Sequence, residues 1–154
     1  MELLEQRTLL ATFEVNSTGG GFDFDHDDGI CDVGMLNADG ELVPSGECTI
    51  TAAFGQADST PAHDTIRFNL PGPGVPVILG VRGGDLENPI TIDGTTQPGG
   101  LVQLDGAGSE PDAINLEIGS SGSVIKGLVI TGFSTAIIIH TANNLVVGNF
   151  IGTD

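Results

Sequence analysis

Five aspartates fall within the ten positions Asp23-Phe24-Asp25-His26-Asp27-Asp28-Gly29-Ile30-Cys31-Asp32. Carboxylates at alternating positions followed by a glycine are what a calcium loop requires, because a hard cation collects several oxygen ligands around one tight turn. Asp23, Asp25, Asp27, Asp28 and Asp32 are therefore the candidate metal ligands, and calcium is the one cofactor the sequence suggests. The segment is not an EF-hand. Counted from Asp23, the sixth position is Asp28 where that loop has glycine, and the twelfth is Gly34 where it has glutamate. The competing reading is an acidic loop that is simply solvated.

Cys31 and Cys48 are the only cysteines, and they bracket a polar insert rich in turn residues (Asn37-Ala38-Asp39-Gly40 and Pro44-Ser45-Gly46). An even count around a loop reads as a disulfide, worth about 3 kcal/mol from loop closure, and points to an oxidising compartment. Two buried thiols are the alternative. Half a zinc site fits poorly, since neither a CxxC nor a paired histidine accompanies them.

Other chemistry-bearing residues are sparse. Asp93 and Asp105 each precede a glycine and could pair as the two carboxylates of a glycosidase, but Asp-Gly is first of all a turn signal. His140 closes the run Ile137-Ile138-Ile139 and reads as a polar end residue rather than a base. The basic groups Arg67, Arg82 and Lys126 do not adjoin an acidic cluster in sequence. No Ser/His/Asp or Cys/His arrangement stands out.

Composition narrows the partners. With 21 acidic and 4 basic residues the formal net charge is −17. Phosphate backbones are neutralised by Lys and Arg, so nucleic acid is excluded, and anionic membrane surfaces and polyanionic glycans are disfavoured. A surface of this sign attracts cations, or keeps a secreted protein in solution. No apolar run is long enough to span a membrane. The start, Met1-Glu2-Leu3-Leu4-Glu5, lacks the basic and apolar regions of an export signal.

The elements that must position these residues come from the apolar bursts. Val124-Ile125-Lys126-Gly127-Leu128-Val129-Ile130 lies over Leu145-Val146-Val147-Gly148-Asn149-Phe150-Ile151 at an offset of 21. Ala113-Ile114-Asn115-Leu116 lies over Ala136-Ile137-Ile138-Ile139 at an offset of 23. Short β-rich bursts recurring about every 20–25 residues between turn residues fall in the range of stacked repeats, where one unit cannot bury its own apolar face. Upstream, Phe13 and Val15, then Ile66, Phe68 and Leu70, alternate with polar residues. Ile90-Thr91-Ile92-Asp93-Gly94 is echoed by Val102-Gln103-Leu104-Asp105-Gly106, with the Asp-Gly pairs read as corners. Asn143, Asn144 and Asn149 sit at similar places, where side-chain amides can ladder. Only Thr49–Asp58 reads as a helix, with an apolar stripe at 50, 53, 54 and 57 and Thr49 as N-cap.

Two resemblances follow. Leu4-Glu5-Gln6-Arg7-Thr8-Leu9-Leu10-Ala11 resembles the LEPR-XLL motif near the N-termini of large bacterial surface or exported proteins, an amphipathic or disordered leader being the alternative. Gly29-Ile30-Cys31-Asp32, Gly46-Glu47-Cys48-Thr49-Ile50-Thr51-Ala52-Ala53, Asp64-Thr65-Ile66-Arg67-Phe68-Asn69-Leu70-Pro71, Ile90–Gly99 and Gly148–Asp154 together resemble the CSLREA-type right-handed β-helix proteins. Thr51-Ala52 stands where that family has an Arg-Glu pair. The resemblance implies a secreted or surface-exposed protein, commonly one segment of a larger repetitive chain, and implies no catalytic residues.

The expectation is thus an all-β, right-handed parallel β-helix, a solenoid with a short N-terminal capping helix. Residues 1–11 form a leader, 12–63 a cap holding the disulfide loop and helix, and 64–154 the coils, the last of them uncovered as in a piece of a longer protein. The favoured function is a non-catalytic structural or adhesive module at the cell surface or outside the cell, with an extracellular glycan, matrix or further β-helix coils as partners. A carbohydrate-active enzyme (polysaccharide lyase or glycoside hydrolase), or its degenerate remnant, is the alternative, by analogy of fold alone.

Overall fold

The computed structural model describes residues 10–152. Two parallel sheets enclose one core. The first has the order β1 (Thr12–Val15), β4 (Asp64–Phe68), β7 (Ile90–Asp93), β9 (Val124–Lys126), β11 (Leu145–Val147). The second runs β12 (Phe150–Ile151), β10 (Leu128–Ile139), β8 (Val102–Leu116), β5 (Val77–Leu79), with β6 (Gly84–Leu86) paired further along β8. An antiparallel ribbon of β2 (Met35–Leu36) and β3 (Leu42–Val43) and one α-helix, α1 (Ile50–Asp58), complete the described elements.

Period-two alternation does the sorting. Phe13, Ile66, Ile92 and Ile125 lie side by side in register across the first sheet and are buried. Ile78, Leu104 and Ile130 form the matching buried row in the second. On the outward side of the first sheet the neighbouring row is Glu14, Arg67, Asp93, Lys126, charges of alternating sign on adjacent strands. Arg67 pairs with Glu14 at 3.1 Å and Lys126 with Asp93 at 2.8 Å.

Both internal repeats of the sequence become paired strands. Val124, Ile125 and Lys126 lie beside Leu145, Val146 and Val147. Val129 and Ile130 lie beside Phe150 and Ile151, and Ile114, Asn115 and Leu116 beside Ile137, Ile138 and Ile139.

The expected fold class is nevertheless corrected. The ladders give two separate sheets, neither closed nor wound into a solenoid, together with a helix and an antiparallel ribbon, so the chain is mixed rather than an all-β right-handed parallel β-helix. The partners along one row, Thr12, Thr65, Thr91, Val124 and Leu145, are unequally spaced in the sequence. Short β5 and β6 also share the single long strand β8. A local apolar repeat dictates which strands pair, but the uneven connections decide how the sheets meet.

The helix carries Thr49 as its N-cap. The Thr49 hydroxyl accepts from the Ala52 N–H at 3.1 Å and donates to the Gly21 carbonyl at 2.6 Å, satisfying one of the free donors of the first turn. Ile50, Ala53, Phe54 and Ala57 are buried, and α1 packs against β1, β4 and β6. The LEPR-XLL-like segment falls outside the described residues except for Leu10 and Ala11.

Turn side chains bind successive strands together. Gln97, nearly fully buried, accepts from the Leu70 N–H at 2.7 Å and donates to the Leu70 carbonyl at 2.9 Å. Ser123 accepts from the Ile90 N–H, and Asn144 in turn accepts from the Ser123 N–H. Backbone groups left over where the chain bends out of a sheet are thus supplied from the next strand turn along, as burial demands.

Candidate functional site

Four of the five aspartates of the acidic loop accept hydrogen bonds from backbone N–H groups. Asp23 and Asp32 are buried. Asp23 accepts from the N–H groups of Asp25 at 2.9 Å and Asp32 at 3.3 Å. Asp32 takes four donors: the N–H groups of Gly34, Ser45 and Gly46 at 2.8, 2.6 and 2.6 Å, and the Ser45 hydroxyl at 3.1 Å. Asp25 and Asp28 each cap a local turn, accepting from Asp27 and Ile30. Asp27 is exposed. Among the described residues, no three His, Cys, Asp or Glu side chains stand where they could hold a metal ion together.

Cys31 and Cys48 form the disulfide, with a Cα–Cα distance of 5.1 Å. Asp32, next to Cys31, clamps the turn before Cys48, so bridge and carboxylate fasten the same two segments. No helix among the described residues is long and apolar enough to cross a membrane.

Asp93 and Asp105 are not brought together, for they stand in different sheets. Asp93 caps the 3₁₀ turn Gly94–Thr96, accepting from the Thr95 N–H at 3.1 Å and the Thr95 hydroxyl at 2.5 Å. Burial alone would raise its pKa. Hydrogen bonds from Lys126 and Thr95, with the Lys126 charge, outweigh this and hold the carboxyl below the ordinary aspartate value. Asp105 accepts from the Ala107 N–H at 2.8 Å where β8 bulges against β10. His140 lies 3.8 Å from Glu117 on the surface.

The feature with the most varied chemistry is a cleft centred on Arg82, marked in the sequence only by charges flanking two glycines. Two depressions of about 340 and 390 Å³ meet there, sharing Arg82, Gly83 and Asp85. Phe22, His26, Phe54 and Asp58 line the first; Glu110, Pro111, Asp112 and Asn115 line the second. Four stretches of chain contribute: the acidic loop, α1, the β5–β6 connection and the part of β8 just beyond its bulge. Bulges of this kind re-aim side chains beside functional sites.

Gly83 and Gly84 make the convergence sterically feasible. A Cβ on Gly83 would stand 2.2 Å from the Asp112 carbonyl oxygen, and one on Gly84 would stand 2.9 Å from the Phe54 ring. The segment carrying Arg82 therefore lies directly against β8 and α1. Arg82 makes no ion pair with a described residue, and its guanidinium sits 5.7 Å from the centroid of the Phe22 ring. The side chains of Glu110 and Asp112 have no hydrogen-bond or ion-pair partner among the described residues. Asn115 donates to Asp85 at 2.9 Å and Glu117 at 2.8 Å, which leaves its buried Oδ1 without a donor. The one sequence signal was Arg82-Gly83-Gly84-Asp85, a cation and an anion flanking two glycines between apolar bursts.

No family model, curated protein or solved structure matches the chain.

Proposed function

We propose that this chain is a non-catalytic structural or adhesive module of an extracellular or cell-surface protein, whose two sheets accept further parallel strands at the open edges of β11 and β12. The observation that carries this reading is a contrast between equivalent residues. Ile125 is 0% exposed, and its partner Val146 on the sheet edge is 38% exposed; Ile130 is 1% exposed, and its partner Ile151 is 48% exposed. Leu145, Val147 and Phe150 add to the same apolar edge. An open, apolar strand edge is a template for strand addition. The disulfide supports an oxidising compartment.

The test is to append a second copy of residues 132–152 after position 152. The extended chain is expected to melt higher and to protect the amides of 145–151 from hydrogen exchange. An unchanged melting point with unprotected amides would count against the module.

A second reading, a carbohydrate-active enzyme or its remnant, draws on Glu110 and Asp112, two carboxylates free of structural partners in one cleft. Reducing-sugar release from a polysaccharide panel, abolished by Glu110→Gln, would favour it over the module.

A further inference from the structure

We infer that the Arg82 cleft is a saccharide-binding site, which takes uncharged glycan chains and excludes uronates. The inference deepens the adhesive reading by giving it a ligand class.

A sugar hydroxyl both donates and accepts a hydrogen bond, so a site that holds several of them needs donors and acceptors side by side. Arg82 offers a planar fork of N–H donors whose charge is not consumed by an ion pair. Glu110 and Asp112 on the opposing strand β8, and Asp85 on Arg82's own segment, offer carboxylate acceptors. The adjoining depression is apolar, with Phe22 56% exposed. An aromatic ring beside a few convergent polar groups suits the apolar C–H face of a pyranose.

Charge selects among glycans. Three carboxylates and one guanidinium line the second depression, and the chain as a whole carries −17. A uronate would enter against that field. A basic peptide would meet the carboxylates favourably but would have to place its cation beside Arg82, and for this reason the saccharide is favoured.

The probes are cellohexaose, mannohexaose and the N-acetylglucosamine hexasaccharide as neutral chains, hexagalacturonate as the anionic one, and a lysine hexapeptide as the basic one. Binding to the full chain is followed by saturation-transfer NMR and calorimetry. At least one neutral hexasaccharide is expected to bind and hexagalacturonate is not. Arg82→Gln should weaken that binding at least about tenfold, a loss of about 1.4 kcal/mol. Arg82→Lys should weaken it too, since it keeps the charge and loses the fork. Asp112→Asn is the companion on the opposite wall. All three variants should melt with the parent, because neither residue has an ion pair to lose. Binding by none of the neutral probes, preference for hexagalacturonate, or neutral binding untouched by both Arg82→Gln and Asp112→Asn overturns the proposal. So does binding of the lysine peptide alone, abolished by Asp112→Asn, which would make the cleft a peptide site. The strand-addition experiment is read on melting and amide protection without sugar, so the module and its ligand class can fail separately.

Discussion

Asn149 reaches back across 21 residues to bracket a single corner, accepting from the Leu128 N–H at 3.0 Å and donating to the Ile125 carbonyl at 2.9 Å. Gln97 does the same for both backbone groups of Leu70, but in a buried setting. Each amide satisfies one donor and one acceptor that the sheets leave over, and removing it strands both.

Truncation of these two brackets should therefore rank by burial. Gln97→Ala is expected to cost about 2–3 kcal/mol, since water cannot readily replace the amide, and Asn149→Ala about 1 kcal/mol at its more open site. Urea denaturation of the two variants checks both size and order. Equal costs would mean that burial is not what sets them.

Without its disulfide the chain should lose about 3 kcal/mol, the loop-closure estimate for the span between Cys31 and Cys48. Alkylation of the native protein in the absence of reductant should modify neither cysteine, as read by mass spectrometry. Cys31→Ser/Cys48→Ser, measured by urea denaturation, gives the size of the loss.

Asp32 should behave as a structural clamp rather than a cation ligand. Asp32→Ala removes the acceptor of four donors, three of them backbone N–H groups, and is expected to cost about 3 kcal/mol or more by leaving them unpaired. Calcium should leave the melting midpoint of the parent where magnesium leaves it. A rise specific to calcium would instead return the aspartate loop to the role of a cation site.

The Asp93–Lys126 pair should show itself in acid. Asp93 titrates below its ordinary value of 3.8 in the folded chain, so its contribution is present above that value and is lost as pH falls through the lowered one. Lys126→Met is expected to cost less than about 1 kcal/mol at neutral pH, because the pair is partly exposed. At about pH 2 the difference between parent and variant should shrink, as Asp93 becomes protonated in both. Urea midpoints at the two pH values decide it.

The residues that announced themselves in the sequence were those whose neighbours in space are also arranged by a repeat. Val124–Ile130 and Leu145–Ile151 carry the same apolar pattern, and parallel pairing in register is the packing that buries both. Thr49 and the stripe at 50, 53, 54 and 57 are local signals and define a local element. Asp93-Gly94 does turn the chain, as the start of a 3₁₀ helix. Asp105-Gly106 also bends the chain, with Asp105 accepting from the Ala107 N–H and positive φ at Ala107 and Gly108, but here the turn is kept as a bulge between two parts of β8 that both pair with β10. The Arg82 cleft leaves only a local trace at Arg82-Gly83-Gly84-Asp85, because Phe22, Phe54, Arg82 and Asp112 belong to four segments whose convergence depends on the fold. The global architecture was misjudged for a related reason: pairing rules are local, and the connections that separate the sheets carry no apolar pattern.

The packing of α1 on β1, together with the Cys48 backbone bonded to Asn16, shields one margin of the first sheet, while β11 stands bare at the other. In the first sheet, therefore, the margin open to a new strand is that of β11. A unit so built can act as a nucleus from which a longer assembly is laid down at that margin.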